Sequence, residues 1–139
     1  MWRRTFLVAT AAGILQADPR QEVYDLFASM ANGLSESNAQ PFLAGLDPRM
    51  PGYQKLVADV QALVQQAEVL SSIDVIQDSG DDQLRTVQLD WSLRLTPKAD
   101  TTATQVRRQQ MIRCELQKQK KRWRVVSMEP AGFFAPPRP

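Results

Sequence analysis

Histidine and cysteine, two residue types that enzymes often use for proton transfer and nucleophilic attack, are almost missing from this sequence. The chain of 139 residues contains no histidine, and its one cysteine, Cys114, has apolar neighbours in its own strand register. No base is expected beside this thiol, so we predict that it is buried and structural. Acid–base catalysis would need Tyr24 or Tyr53 as a proton donor beside a buried carboxylate, for which Asp25 and Asp90 are the candidates.

Binding chemistry is better represented than catalysis. Arg108 and Gln110 lie in the same even-numbered register as four apolar residues: Val106, Ile112, Cys114 and Leu116. In a regular strand both polar side chains face the helix-covered side, where an arginine can bind an anionic group with two hydrogen bonds. With Tyr53 and Trp91 as apolar walls, these residues form the predicted ligand pocket. The alternative is a β-bulge that shifts the register, or a strand end beyond the core from which the side chains reach solvent.

Composition and charge narrow the class of protein. Hydrophobic residues at 43% and charged residues at 23% are ordinary for one globular domain. The adjacent aspartates at 81–82 have neither the spacing nor the ligand number of a calcium loop, so no metal site and no cofactor are predicted.

The N-terminal residues 1–17 have the pattern of an export signal. Arg3 and Arg4 precede an apolar run over residues 6–15, which is too short for a transmembrane helix. We expect cleavage near Ala17 and a periplasmic or secreted protein, by a twin-arginine or an ordinary secretory route. A retained N-terminal helix is the alternative. Without Arg3 and Arg4 the 17 Lys and Arg residues fall to 15, equal to the 15 Asp and Glu residues, so nucleic-acid binding is not expected.

The elements that must position these residues follow from periodicity. Asp18-Pro19 begins a helix with an apolar stripe to Leu34, a short helix follows near Phe42, and a third spans about 53–67. After Ala67 the apolar period becomes two. Four strands are predicted, at about 69–78, 87–95, 104–118 and 122–129. The prediction is an α+β domain over residues 18–132, with three N-terminal helices packed on a curved, mostly antiparallel four-stranded sheet, and a tail at 133–139.

This order of elements resembles the nuclear-transport-factor-2-like superfamily, also called SnoaL-like or cystatin-like, over residues 20–135. The ending Lys121-Arg122-Trp123-Arg124-Val125-Val126-Ser127-Met128-Glu129 is similar to the last strand of that family. The resemblance implies a cone in which the sheet wraps a long helix and leaves a pocket at its open end. Phe133 and Phe134 are expected to dock over the sheet or the pocket mouth, because two exposed phenylalanines would be unfavourable in water.

The catalytic residues of the family do not carry over to this chain. Its dehydratases use histidines, which are absent here, and its isomerases use a tyrosine with inward carboxylates. The predicted concave face of the second strand is entirely apolar: Val87, Leu89, Trp91, Leu93 and Leu95. The resemblance therefore favours binding over catalysis.

A charged outer face is predicted on the second and third strands, formed by Asp90, Arg94, Arg107, Arg113 and Glu115. Such side chains pair across strands in water with small energies. In the resembled superfamily the outer sheet face often forms a dimer interface, so a homodimer is the second interpretation of this face.

These observations predict an exported, non-catalytic binding domain for an apolar or anionic small molecule or for a partner. One alternative is an isomerase or dehydratase acting on an apolar cyclic substrate. The other is an accessory subunit of an envelope assembly that uses the outer face or the basic hairpin around Lys120 and Lys121.

Overall fold

The computed structural model describes residues 18–100 and 102–137, so the predicted export signal at 1–17 lies outside the described residues. Three α-helices come first: α1 (Pro19–Ser35), α2 (Gln40–Ala44) and α3 (Tyr53–Gln66). Four strands and a short 3₁₀ helix follow: β1 (Ala67–Gly80), β2 (Leu84–Pro97), β3 (Val106–Gln119), β4 (Arg122–Glu129) and Ala131–Phe134. The α+β fold class predicted from the sequence is confirmed.

Helix α1 begins where the sequence predicts, because its first turn is capped. The Asp18 carboxylate accepts a hydrogen bond from the Arg20 backbone N–H at 3.0 Å, and Pro19 occupies the first helical position. The buried stripe of the helix is Val23, Phe27, Met30, Ala31 and Leu34. This stripe packs on β1 and on the short helix α2, so the helix covers the sheet with one face only.

The sheet is fully antiparallel in the order β1-β2-β3-β4. Strand β2 lies between two long neighbours, and its inward residues from Val87 to Leu95 are all at most 1% exposed. Register shifts occur between Val75 and Gln77 and between Glu115 and Leu116. Each shift bends its strand, which helps the sheet to curve around the helices.

The loop between α2 and α3 is attached to the far end of the sheet by Asp47. Its buried carboxylate accepts hydrogen bonds from the Arg49 backbone N–H at 2.9 Å, from the Arg49 guanidinium at 3.1 and 3.2 Å, and from Gln119 Nε2 at 2.7 Å. The Asp47 backbone N–H also donates to the Val125 carbonyl. These donors, the Arg49 side chain foremost, hold the pKa of Asp47 well below its ordinary value.

Replacing Asp47 with asparagine is expected to lower the free energy of unfolding by about 1–2 kcal/mol at pH 7, because charged hydrogen bonds are lost. A carboxyl whose pKa is lowered by folding contributes stability above its unfolded pKa of about 3.9 and loses it as the pH falls through the folded value. The difference between wild type and Asp47→Asn should therefore shrink below about pH 4. Urea unfolding from pH 7 to pH 2.5 measures it. Asp82→Asn, at an exposed turn position, is the control, and a pH-independent difference would contradict the assignment.

Candidate binding site inside the cone

The interior of the cone is built around Trp91, which stands at the middle of β2 and is 0% exposed. Three phenylalanine rings surround its indole: Phe27 at 6.4 Å, Phe42 at 6.0 Å and Phe134 at 4.9 Å between ring centroids. The contacts of Phe27 and Phe134 with the indole are edge-to-face, an arrangement that adds to the stabilisation from apolar burial. The centre of the fold is therefore an aromatic cluster contributed by α1, α2, β2 and the C-terminus.

A single polar network serves this aromatic cluster. The indole Nε1 of Trp91 donates to Ser71 Oγ at 2.8 Å. The Ser71 backbone N–H in turn donates to Ser35 Oγ at 2.9 Å, which joins the end of α1 to β1. Because a buried indole N–H without an acceptor is costly, Ser71 fixes the orientation of the ring. The network therefore serves packing.

The 3₁₀ helix at Ala131–Phe134 packs against the aromatic cluster. Phe134 is 0% exposed, and its ring lies 4.9 Å from both Phe42 and Trp91 and 5.1 Å from Phe133. Helix α3 packs against the same short helix. We call residues 131–137 the C-terminal segment. Docking of the two phenylalanines was expected from the sequence, and the structure places Phe134 in the core.

Arg108 holds the C-terminal segment in place. It pairs with Leu93 across β2 and β3 and so lies in the inward register. Its Nη1 donates to the carbonyls of Phe133 at 2.8 Å and Ala135 at 2.6 Å. Burial of the guanidinium lowers the pKa of Arg108. An inward arginine here binds two backbone oxygens of its own chain at the position where a ligand anion was predicted.

The other two predicted pocket residues lie apart from this arrangement. Gln110 pairs in register with Trp91, but its side chain is exposed, because β4 extends along β3 only as far as Arg113. Tyr53 begins α3, is half-buried and packs against the edge of the hydrophobic core. The structure thus brings Trp91 and Arg108 together around the C-terminal segment, with Tyr53 on the helix that packs against that segment and Gln110 at the rim.

The carboxylates considered for catalysis lie outside the aromatic cluster. Tyr24 is 46% exposed, and the neighbouring Asp25 accepts a hydrogen bond from Gln21 on the exposed face of α1. Asp90 lies on the outer face of the sheet, where Gln109 Nε2 donates to both of its oxygens at 2.9 and 3.2 Å. Cys114 is buried, and its burial raises the pKa of the thiol far above the ordinary value. Such a thiol is a poor nucleophile at neutral pH.

Residues 18–100 and 102–137 lack two further features. No group of three or more histidine, cysteine, aspartate or glutamate side chains is placed to hold a metal ion. No helix in this part of the chain is long and apolar enough to cross a membrane.

The outer face of the sheet carries all five residues predicted for it: Asp90, Arg94, Arg107, Arg113 and Glu115. Arg113 and Glu115 approach to 4.0 Å. A groove of about 510 Å³ crosses the face and is lined by outward residues such as Leu70, Ser92, Arg94 and Arg107, together with the inward-register residues Ser71, Leu93 and Arg108. Leu70 is 59% exposed in it, and Ile76, Leu84 and Met111 are further exposed apolar side chains. Sequence patterns identified the charges on this face. They missed Leu70, Leu84 and Met111, because an apolar residue at an outward position departs from the alternation of apolar and polar residues.

Comparison with solved structures identifies the fold. A conserved protein from Planctomyces limnophilus superposes with a TM-score of 0.71 at 8% identity, covering 78% of this chain and 91% of that chain. An NTF-2-like protein of unknown function from Shewanella oneidensis gives 0.60 at 10% identity, covering 80% and 97%. A hexachlorocyclohexane dehydrochlorinase, LinA type 2, gives 0.61 at 9% identity, covering 78% and 81%.

No protein-family model matches the sequence, and no curated protein matches it significantly. At identities near 10% the structural likeness concerns the fold, since one fold serves many unrelated functions. Proteins with this fold include an enzyme and proteins of unknown function. The described chain has the cone-shaped α+β fold of the nuclear-transport-factor-2-like, or SnoaL-like, superfamily, as the order of its elements predicted.

Proposed function

We propose that this chain is an exported binding domain whose aromatic interior receives an apolar small molecule with an anionic group. The observation that carries the proposal is the position of the C-terminal segment. Phe134 supplies an apolar ring against Trp91, and the carbonyls of Phe133 and Ala135 supply negative partial charge to Arg108. The segment therefore presents an apolar group next to acceptor oxygens, the pattern that a ligand of this class would present.

Access to the interior requires the C-terminal segment to move. Arg108 makes the two hydrogen bonds that fasten this segment to β3. A carboxylate or sulfonate would compete well for the guanidinium, because a charged acceptor forms a stronger hydrogen bond than a carbonyl. The ligand body would then take the place of the Phe134 ring beside Trp91.

Two fluorescent probes test this mechanism on residues 18–139. Anilinonaphthalene sulfonate carries an apolar body and one negative charge, and N-phenylnaphthylamine carries the apolar body alone. Arg108→Gln is expected to weaken binding of the sulfonate about 10- to 100-fold, since the charged hydrogen bond is worth roughly 1.5–3 kcal/mol. Binding of the neutral probe should stay the same or improve, because the same substitution loosens the C-terminal segment.

Arg107→Gln is the matched control, since it removes the same charge from the adjacent residue on the outer face. Near-ultraviolet circular dichroism must be native for every variant, because the sulfonate also binds loosely packed states. Equal loss of sulfonate binding in Arg107→Gln and Arg108→Gln would remove the basis for an interior anion site.

The enzyme alternative has less support from the geometry. A dehydrochlorinase shares the fold, but Asp25 and Asp90 lie outside the aromatic cluster of this chain. An isomerase or dehydratase on an apolar cyclic substrate would have to use Tyr53 without a carboxylate partner from these candidates.

A homodimer through the outer sheet face is the second part of the proposal. Exposed apolar residues on that face, Leu70 and Met111 among them, support an interface there. An accessory role in an envelope assembly would use the same face with a different partner. The export signal at residues 1–17 belongs to the proposal as well, and a mature chain beginning near Asp18 in a periplasmic extract would support it.

A further inference from the structure

Strand β3 is covered along only half of one edge. Its register with β4 ends at the pair Arg113–Glu129, and the chain then leaves the sheet for the C-terminal segment. Residues 106–112 are therefore paired with β2 alone. Within the described residues 18–100 and 102–137, their backbone forms no backbone hydrogen bond outside the ladder with β2. Roughly 20 Å of β3 is thus an open sheet edge.

The hydrogen-bond pattern of β3 identifies the backbone groups that face this open edge. The Lys118 N–H donates to the Gln83 carbonyl at 2.8 Å, so Lys118 directs its backbone groups at β2. In an antiparallel ladder every second residue does so, and the β2–β3 register runs without a shift. Even-numbered residues of β3 therefore face β2, whereas Arg107, Gln109 and Met111 present their N–H and C=O groups to the open edge.

The edge of β1, on the other side of the sheet, is protected in ways that the β3 edge lacks. Ser35 at the end of α1 binds both the N–H and the carbonyl of Ser71, and a register shift follows Val75. Proteins commonly protect free edges with such covers and bulges, or with proline or charge. Residues 106–112 contain no proline and no register shift, and the side chains of residues 109–111 are exposed. Charge is the protection that remains on this edge.

That charge is positive and selects the kind of strand that can pair with the edge. Residues 106–113 contain three arginines and no carboxylate. Arg107 is directly opposite Arg94 on β2, and neither has a salt bridge within residues 18–100 and 102–137. Because like charges repel across paired strands, a second copy of this edge is disfavoured and an acidic strand is favoured. The exposed Glu129 borders the opposite end of the edge, so the acidic residue fits best beside Arg107.

We propose that an extended acidic segment of a partner protein adds to residues 106–111 as a fifth strand, antiparallel to β3. In this mode of recognition the main-chain hydrogen bonds give affinity and alternate side chains give specificity. A carboxylate of the segment lies opposite Arg107, a polar side chain opposite Gln109, and an apolar side chain opposite Met111, which is 46% exposed. The site lies on the sheet edge and does not depend on ligand binding inside the cone.

Amide hydrogen exchange with a model peptide tests the site residue by residue. The peptide acetyl-Leu-Thr-Gln-Thr-Glu-Val-amide sets its leucine, glutamine and glutamate opposite Met111, Gln109 and Arg107. It is added to isotopically labelled residues 18–139, and exchange is followed by NMR. The N–H groups of these three residues should exchange at least about tenfold more slowly with the peptide bound. Those of Arg108 and Gln110 face β2 and should not change.

Matched changes in the peptide and in the protein separate strand pairing from simple charge attraction. A peptide with proline in place of glutamine lacks the N–H that donates to the Gln109 carbonyl, and it should not bind detectably. Arg107→Glu should weaken binding of the acidic peptide at least about tenfold. The same variant should bind a peptide with lysine in place of glutamate to within about threefold of the wild-type pair. Arg122→Glu makes the same charge change at the far end of β4 and should leave binding unchanged.

Three results would overturn the proposal. One is the absence of peptide binding up to about 1 mM. Another is slow exchange of the three edge amides in the dilute free protein, which would mean that the chain itself covers the edge. The third is protection that rises with protein concentration alone, which would assign the edge to a second copy. The probe experiments on Arg108 are independent of all three, since its side chain binds the C-terminal segment.

Discussion

Phe134→Ala will lower the free energy of unfolding by about 3–5 kcal/mol, the range for removing a fully buried phenylalanine ring. The centroid of its ring lies 4.9 Å from the ring centroids of Phe42 and Trp91, and the residue has no exposed surface. Its loss leaves a cavity at the centre of the aromatic cluster, and the backbone around it is fastened by Arg108, which limits collapse. Urea unfolding of residues 18–139 followed by far-ultraviolet circular dichroism measures the change.

Phe133→Ala is the matched control for this prediction. Phe133 is the adjacent ring and is half-buried, so its removal should cost roughly 1–2 kcal/mol by the area it buries. The two variants should also differ in binding. Phe134→Ala opens space beside Trp91 and should bind N-phenylnaphthylamine more tightly, whereas Phe133→Ala should not. Equal stability losses in the two variants would show that Phe134 does not occupy the core.

The second large effect is expected at Arg85, whose charge is buried at the β1–β2 hairpin. Its side chain is 5% exposed, and its Nε donates to Asp78 Oδ1 at 2.7 Å. A second nitrogen donates to the Asp81 carbonyl at 2.8 Å. Arg85→Ala leaves the Asp78 carboxylate buried without its partner, so we expect a loss of about 3–5 kcal/mol.

A double variant separates the lost packing from the stranded charge. Arg85→Met/Asp78→Leu replaces the pair by apolar groups of similar size and should recover most of the stability, because the cost of an isolated buried charge is removed. Arg122→Ala, at an exposed position on β4, should change the stability by less than about 0.5 kcal/mol. An Arg85→Ala protein as stable as the Arg122→Ala protein would mean that water reaches Asp78.

Gly80 allows the close approach of β1 and β2 beside the Asp78–Arg85 pair. Its φ of +136° lies in a region that side chains avoid, and an added Cβ would collide with the Leu84 carbonyl and Arg85. The start of β2 therefore lies very close to Gly80, and the charged side chain of Arg85 is buried. This tight return sets the position of the Asp78–Arg85 pair.

The elements whose pattern is local were predictable from the sequence. The alternation from Val87 to Leu95 gives the inner face of β2 directly, and the stripe from Val23 to Leu34 gives the buried face of α1. Burial of Cys114 and the inward register of Arg108 follow from the same period of two. These positions depend only on neighbours within a few residues, which periodicity records.

The interior of the site depends on contacts between distant parts of the chain. The Ala131-Gly132 pair and the prolines after Phe134 are typical of a surface tail, so only docking could be expected of the two phenylalanines. Arg108 binds the carbonyls of residues 133 and 135, which only the folded chain brings next to it. The same holds for Gln119, whose amide reaches Asp47 from 72 positions along the chain. A polar residue in an apolar register indicates that a partner exists without identifying it.

The indole of Trp91 is an optical reporter built into the site. It is buried, flanked by three rings and in contact with Phe134, whereas Trp123 lies against α1 through its hydrogen bond to Glu22. Trp2 is absent from a protein that begins at residue 18. Intrinsic emission of such a protein therefore comes from one tryptophan in the aromatic cluster and one beside α1. Departure of the C-terminal segment would expose Trp91 alone to water. A red shift of about half the emission would therefore report the displaced segment without any label.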